Sequence, residues 1–176
     1  MKKDGTTNID RIDKDCYYLN IAETVAQRST CLTKHWGAVI VKDDTIISTG
    51  FNGAPRNVVD CLEKQECRLL QYRKKNNLGR GTAYEQCLSV HAEMNAIIFA
   101  DKNKMKGATM YLVGKELIGI DQFEQYVMNP RPCAMCRKMI INAGIANVVV
   151  RLNENQTFTY NVKDWTLIEN NIVGDY

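Results

Sequence analysis

Apolar and polar positions along the chain fall into two rhythms. Between Ile9 and Arg28, the residues Ile12, Cys16, Leu19, Ala22 and Ala26 recur three and four apart, with Glu23 on the wet side. That period predicts an amphipathic helix. Trp36–Val41 and Thr45–Gly50 are runs rich in β-branched residues joined by Lys42-Asp43-Asp44, a hairpin signature. A loop follows, Gly50-Phe51-Asn52-Gly53-Ala54-Pro55-Arg56. Residues 60–87 are polar and rich in Lys, Arg, Gln and Cys; they predict one helix near Glu63–Lys75 and a turn at Leu78-Gly79-Arg80-Gly81. His91–Asp101 reads as a strong helix and Ala108–Val113 as a strand. Residues 114–130 read as a long connection of mixed polarity. Cys133–Ala143 is a second strong helix, stopped by Gly144. Ile145–Leu152 is a valine-rich strand, Asn153–Gln156 a turn, and Thr157–Val162 an alternating strand. The tail from Asp164 is weakly helical, and residues 1–9 are polar and frayed in this reading.

The predicted order is therefore α, β, β, α, β, α, β, β and a tail, with no internal repeat. Strand Ala108–Val113, helix Cys133–Ala143 and strand Ile145–Leu152 make a βαβ unit, so those two strands should run parallel. The last connection is too short for a crossover helix, so the final strand should lie antiparallel to its predecessor. The expected fold class is α/β: a mixed sheet of about five strands covered by helices on both faces. Residues 1–176 are expected to form one domain, with a polar, cysteine-containing insertion at about 57–88 and an extra connection at about 114–130.

Composition narrows the field. The chain is 45% hydrophobic and 24% charged, an ordinary globular profile. A net charge of +3 is too mild to argue for nucleic acid or an anionic membrane surface. The longest apolar runs, such as Gly37–Val41 and Ala96–Ala100, fall far short of the roughly 20 residues a membrane span needs. Met1-Lys2-Lys3-Asp4-Gly5-Thr6 has no apolar stretch behind it, so no secretory signal is expected and the expected location is cytoplasmic. Seven cysteines in such a chain point to metal ligands or catalytic groups more than to disulfides.

Two short motifs open the two strong helices. His91-Ala92-Glu93 opens one, and Pro132-Cys133-Ala134-Met135-Cys136 the other. Cys133 and Cys136 are three apart and share a helical face. In a first turn, free N–H groups and the helix dipole favour thiolate over thiol. Pro132 suits the first helical position, where no hydrogen bond is lost. One imidazole and two thiolates give three protein ligands and leave a fourth zinc position open, the pattern of a catalytic zinc. His91 and Glu93 would diverge by about 200° on an ideal helix, so they can converge only at its very start. In this reading Glu93 is not a ligand. It takes a proton from the zinc-activated water, passes it to a ring nitrogen and finally protonates the leaving ammonia. The bland alternative is a structural Cys-x-x-Cys and a chance His-x-Glu.

These motifs, together with Gly37-Ala38-Val39-Ile40-Val41, Ser48-Thr49-Gly50-Phe51-Asn52-Gly53-Ala54-Pro55 and Ile140-Ile141-Asn142-Ala143-Gly144-Ile145, resemble the cytidine and deoxycytidylate deaminase family from about Cys16 to Val150. The resemblance implies the three-layer α/β/α cytidine-deaminase-like fold. It implies Zn2+ held by His91, Cys133 and Cys136, with Glu93 catalytic, and a nucleotide bound by Asn52, Gly53 and Ala92. Asn52-Gly53 read alone is a turn. Arg56 follows the loop, where it is either a phosphate contact or a solvated arginine. Microbial relatives place extra cysteines near Cys31, Cys61, Cys67 and Cys87, which implies a second, structural zinc; free thiols are the alternative. Cys16 reads as a small core residue and His35 as surface or core. Family members are commonly hexamers or other homo-oligomers, and Phe99 and Lys102 could face another subunit. The expected activity is zinc-dependent hydrolysis of a cytosine nucleotide, most simply dCMP to dUMP and ammonia. A free nucleoside or another amino-heterocycle, or a tRNA, are alternative substrates, and a non-catalytic zinc-stabilised module is the remaining reading. The low charge argues against nucleic acid.

Overall fold

The computed structural model describes residues 11–118 and 123–167. Chain order is α1 (Lys14–Ala26), β1 (Lys34–Lys42), β2 (Thr45–Phe51), α2 (Cys61–Lys64), α3 (Arg68–Lys75), α4 (Ala92–Phe99), α5 (Lys102–Met105), β3 (Thr109–Ile118), β4 (Phe123–Tyr126), α6 (Ala134–Ala143), β5 (Asn147–Asn153), β6 (Gln156–Asn161) and α7 (Val162–Leu167). The sheet runs β2-β1-β3-β5-β6, with β4 paired to the far end of β3. As the βαβ unit requires, β3 and β5 are parallel, and the last pair, β5 with β6, is antiparallel.

The strand alternation explains the layers. Val39 and Val41 of β1, Tyr111 and Val113 of β3 and Val149 of β5 pack against Tyr18, Leu19 and Ala22 of α1. Their neighbours Ala38, Ile40, Met110, Leu112, Val148 and Val150 turn to the other face and meet Ala92, Ala96, Cys136 and Ile140 of α4 and α6. Central strands buried on both faces are expected to be almost wholly apolar, and these are. Helix α1 begins at Lys14 because the Asp13 carboxylate accepts the Cys16 N–H as an N-cap. Ile12, placed in the apolar stripe by its spacing, is instead 49% exposed, and the predicted start at Ile9 lies outside the described residues. The β1–β2 turn places Asp43 and Asp44 at φ 47° and 62°, the left-handed pair of a type I′ hairpin. The Tyr18 hydroxyl donates to Asp44, fastening that turn to α1.

Three expectations needed correction. Residues 114–130 are not a plain connection: β3 continues to Ile118 and β4 folds back on it, pairing Lys115 with Tyr126 and Ile118 with Phe123. This adds a sixth strand to the five the sequence pattern counts. The single helix near Glu63–Lys75 is two, because Gln65 takes a left-handed φ of 52° and ends the first turn. His91–Asp101 is also split, with Asp101 capping the short α5. No described helix is long and apolar enough to cross a membrane.

Two glycines set how closely the helices approach the sheet. A Cβ at Gly37 would lie 2.0 Å from the Ala22 carbonyl oxygen of α1, and one at Gly50 would lie 2.3 Å from the Ala96 nitrogen and 2.4 Å from the Ala92 oxygen of α4. Those neighbours are backbone and cannot swing aside. Gly50→Ala should therefore lift α4 from β2 and cost about 1–3 kcal/mol of stability, read as a lower urea midpoint. An unchanged midpoint would contradict this packing.

Candidate metal centre

Helices α4 and α6 begin at the same end of the sheet. His91 is the N-cap of α4, with extended backbone (φ −70°, ψ 153°) and no side-chain capping bond. Cys133 is the N-cap of α6, also extended and also without a capping bond. Both side chains are thus released from local duty. Because His91 stands outside the helix and Glu93 is in its first turn, the divergence of an ideal helix does not separate them. Pro132 is not at the first helical position, as its spacing suggested. It precedes the N-cap, is fully buried, and its carbonyl accepts a 2.9 Å hydrogen bond from Arg137 Nη1.

The His91 Nδ1 lies 3.5 Å from Cys133 Sγ and 3.4 Å from Cys136 Sγ. One donor atom from each of these three residues fits within 4.8 Å of the others, and no further His, Cys, Asp or Glu joins the group among the described residues. Zinc bonds of about 2.3 Å to sulfur and about 2.0–2.1 Å to nitrogen, set tetrahedrally, put the two donors about 3.6 Å apart. The observed spacings and the donor chemistry therefore fit zinc with one open corner. Hydrogen bonding with Cys136, outweighing burial and helped by His91, brings the Cys133 pKa down to about 4, which favours its thiolate form. Cys136, its partner in that bond and itself buried, is held above the usual thiol range. The bond to Cys133 lifts His91 against the opposing effect of burial. Glu93 is 5% exposed, and burial raises its carboxyl above the usual range despite the nearby imidazole.

The loop after β2 borders this centre. Asn52 is buried and its amide is largely committed: Oδ1 accepts from Ser29 Oγ and the Trp36 N–H, each at 2.7 Å, and Nδ2 donates to the Lys34 carbonyl at 2.9 Å. One N–H of the amide remains beyond these bonds. Gly53 exchanges two backbone hydrogen bonds with Val90, the residue before His91, which ties the loop to the metal ligand. The Ala92 side chain is fully buried in the core, and its first-turn N–H has no intrahelical acceptor. Arg56 is exposed and stacks 4.2 Å over the Phe99 ring. Sequence reasoning missed Ser29 and also Asn95, whose amide donates to the Phe51 carbonyl at 2.7 Å; a polar residue inside an otherwise apolar helix was the available signal for the latter.

The four remaining candidate cysteines are neighbours but do not form a comparable cluster. Burial first, then Cys67, Cys31 and Cys87, raise the Cys61 thiol; burial, Cys31 and Cys67 likewise raise Cys87. No three of them bring ligand atoms within 4.8 Å of one another. All seven cysteines are free of disulfides.

Metal ligands bind deprotonated. Cys136, a buried thiol held above its usual range, keeps a proton that zinc must displace, and the upward shift of His91 adds to the competition, so affinity should rise with pH and fall as protons return. Zinc uptake by metal-free protein at pH 7 should release about one proton or more, measured by calorimetry in buffers of different ionisation enthalpy. Zinc uptake without proton release would contradict this protonation pattern.

The profile of the cytidine and deoxycytidylate deaminase zinc-binding region matches residues 12–152. A deoxycytidylate deaminase of Mycobacterium phage D29 is 34% identical over 140 residues, 79% of this chain and 94% of that protein. One from Saccharomyces cerevisiae is 30% identical over 136 residues, 77% of this chain and 36% of the yeast protein. The apo crystal structure of a dCMP deaminase from the cyanophage S-TIM5 aligns with 78% of this chain and 81% of its own, at 23% identity and a TM-score of 0.49. With the match running through α1, both motif-bearing helices and the whole sheet core to β5, the chain belongs to the cytidine and deoxycytidylate deaminase zinc-binding family.

Proposed function

We propose that the protein hydrolyses dCMP to dUMP and ammonia. The observation that carries the chemistry is the His91, Cys133 and Cys136 trio with the buried carboxyl of Glu93 beside it but outside it. The relatives named deoxycytidylate deaminase support the substrate. Zinc held by the trio would make hydroxide available near neutral pH. The chain's own part is proton handling and orientation. Glu93, with its carboxyl raised by burial, takes a proton from water and delivers it to N3 of the pyrimidine as oxygen adds at C4, then takes the second proton from the new C4 hydroxyl and passes it to the amino nitrogen as the C4–N bond breaks. The balance is one water consumed and one ammonia released. In this reading the remaining N–H of Asn52, the backbone of Gly53 and Ala92, and Arg56 contact the nucleotide; the pairing of Gly53 with Val90, next to His91, supports it.

A second, structural zinc on Cys31, Cys61, Cys67 and Cys87 belongs to the same reading. Within residues 57–88 only Leu69 is buried, while Val58, Val59, Leu62, Leu70, Tyr72 and Leu78 are exposed. A segment with almost no core of its own needs another tie, and four neighbouring cysteines would supply its ligands. A homo-oligomer fits the exposure of Ile98 and Phe99 on α4, and unpaired cysteines fit a reducing, cytoplasmic setting.

Ammonia release measured over dCMP, CMP, deoxycytidine, cytidine and tRNA should be fastest with dCMP; a preference for the free nucleosides would remove Arg56 from phosphate binding. Glu93→Gln should keep zinc and lose nearly all turnover, on the order of 10²–10⁴-fold, and retained activity would end its proton-shuttle role. Metal analysis should find two zinc ions per chain, falling to one in Cys87→Ser, with the 57–88 segment becoming sensitive to limited proteolysis. One ion per chain, unchanged by that substitution, would remove the second site.

A further inference from the structure

Trp36 lies on β1 in the register of Ala38 and Ile40, which face α4 and α6. Its partner on β3 is Gly114. A Cβ at Gly114 would come within 2.6 Å of three atoms of the six-membered indole ring, so the ring lies across that glycine on the metal-bearing face of the sheet. On its other side the Trp36 backbone is bonded to Asn52 in both directions, its N–H to Oδ1 at 2.7 Å and its carbonyl from the Asn52 N–H at 3.2 Å. The row Asn52–Trp36–Gly114 thus forms the end of the sheet where both ligand-bearing helices start. Gly53 pairs with Val90, next to His91, and the Gly114 carbonyl accepts from Val127 on the segment that leads to Cys133.

The indole packs against the core that contains Ala92 and Cys136, as Cys133 does. Ala38 and Ile40, on the same strand face, are completely buried, whereas Trp36 is only half-buried, as are His91 and Cys133. A side chain that points into the layer between sheet and helices and still meets solvent lines an opening in that layer. This is the end of the sheet at which His91 and Cys133, also half-buried, begin α4 and α6.

We propose that the Trp36 indole is the floor of the substrate pocket and the side chain that restricts it to a single flat heterocyclic ring. The inference rests on the dCMP reading and adds its specificity element. A planar base has a π-face that an indole can meet, while the bulk folded onto Gly114 takes the space a second fused ring would need. Gly114 is part of the same device, since any side chain there would push the indole into that opening.

The test uses zinc-loaded protein and dUMP, the non-reacting product, as probe. The chain has two tryptophans, and the other, Trp165, is buried on α7 beside Tyr160. Saturating dUMP should change the tryptophan emission of the wild type and of Trp165→Phe. Trp36→Phe should bind dUMP by calorimetry without that change. Trp36→Val should raise the KM for dCMP roughly tenfold or more with kcat within a few-fold of wild type, and should narrow the preference for dCMP over the two-ring dAMP. An unchanged emission in wild type and Trp165→Phe when calorimetry shows dUMP bound, or a Trp36→Val variant with wild-type KM and wild-type dCMP/dAMP ratio, would overturn the proposal while leaving the dCMP reading intact. A wild-type enzyme that neither deaminates dCMP nor binds dUMP would overturn that reading and this inference with it.

Discussion

Three soft donors from two helices must meet within one metal's reach, and the rest of the structure serves that meeting. The 3.4 and 3.5 Å spacings from His91 Nδ1 to the two sulfurs tolerate little error, because a tetrahedral zinc fixes all its donor distances together. Both helices therefore have to start at one end of the sheet and lie on one face. The parallel β3–α6–β5 unit delivers Cys133 and Cys136 to that end. The Gly53–Val90 pairing at the end of β2 delivers His91. Gly50 then lets α4 sit directly on β2, so that the start of that helix is held by backbone contact and not by a flexible side chain.

Much of this was legible in the sequence, for identifiable reasons. The Asp43-Asp44 hairpin, the parallel pair around α6, the antiparallel last strand and the Gly144 stop each depend on local chemistry or connection length, which a sequence states directly. Gly144 does adopt the left-handed C-cap, at φ 75°. The strand β4 was not legible because Glu124 and Gln125 face solvent and Phe123 is 72% exposed. An outlying strand with no buried side carries no apolar alternation to detect. The break at Gln65 was missed because nothing but tertiary context asks a glutamine to take a left-handed φ. The His91, Cys133 and Cys136 set was readable from spacing, whereas the commitments of Asn52 to Ser29, Trp36 and Lys34 were not, since they join residues from separate strands and loops.

Asn52 shows how binding and architecture can share one side chain. Its amide already closes three hydrogen bonds that bind the α1–β1 connection, the start of β1 and the end of β2 together. A ligand contact through the remaining N–H would therefore be made by a group that cannot rotate without breaking those bonds. Such a donor is pre-ordered, so little conformational entropy is lost when a ligand meets it.

The β3–β4 hairpin extends this coupling to the opposite face of the sheet. Glu23 of α1 accepts from Lys115 at 2.6 Å, from the Tyr126 hydroxyl at 3.0 Å and from Arg151 at 2.8 Å. Burial works against its charge, but these three donors hold the Glu23 carboxyl below the usual range. Tyr126 ends β4, and seven residues later the same chain supplies Cys133. Between them the Tyr160 hydroxyl donates to the Pro130 carbonyl and Arg137 to the Pro132 carbonyl. The segment that presents the first sulfur is thus anchored at one end by a charged cluster beneath the sheet and at the other by bonds to β6 and to α6 itself. A ligand held this way depends on residues that never approach the metal, because loosening either anchor shifts Cys133 relative to His91, and the tetrahedral fit allows almost no such shift.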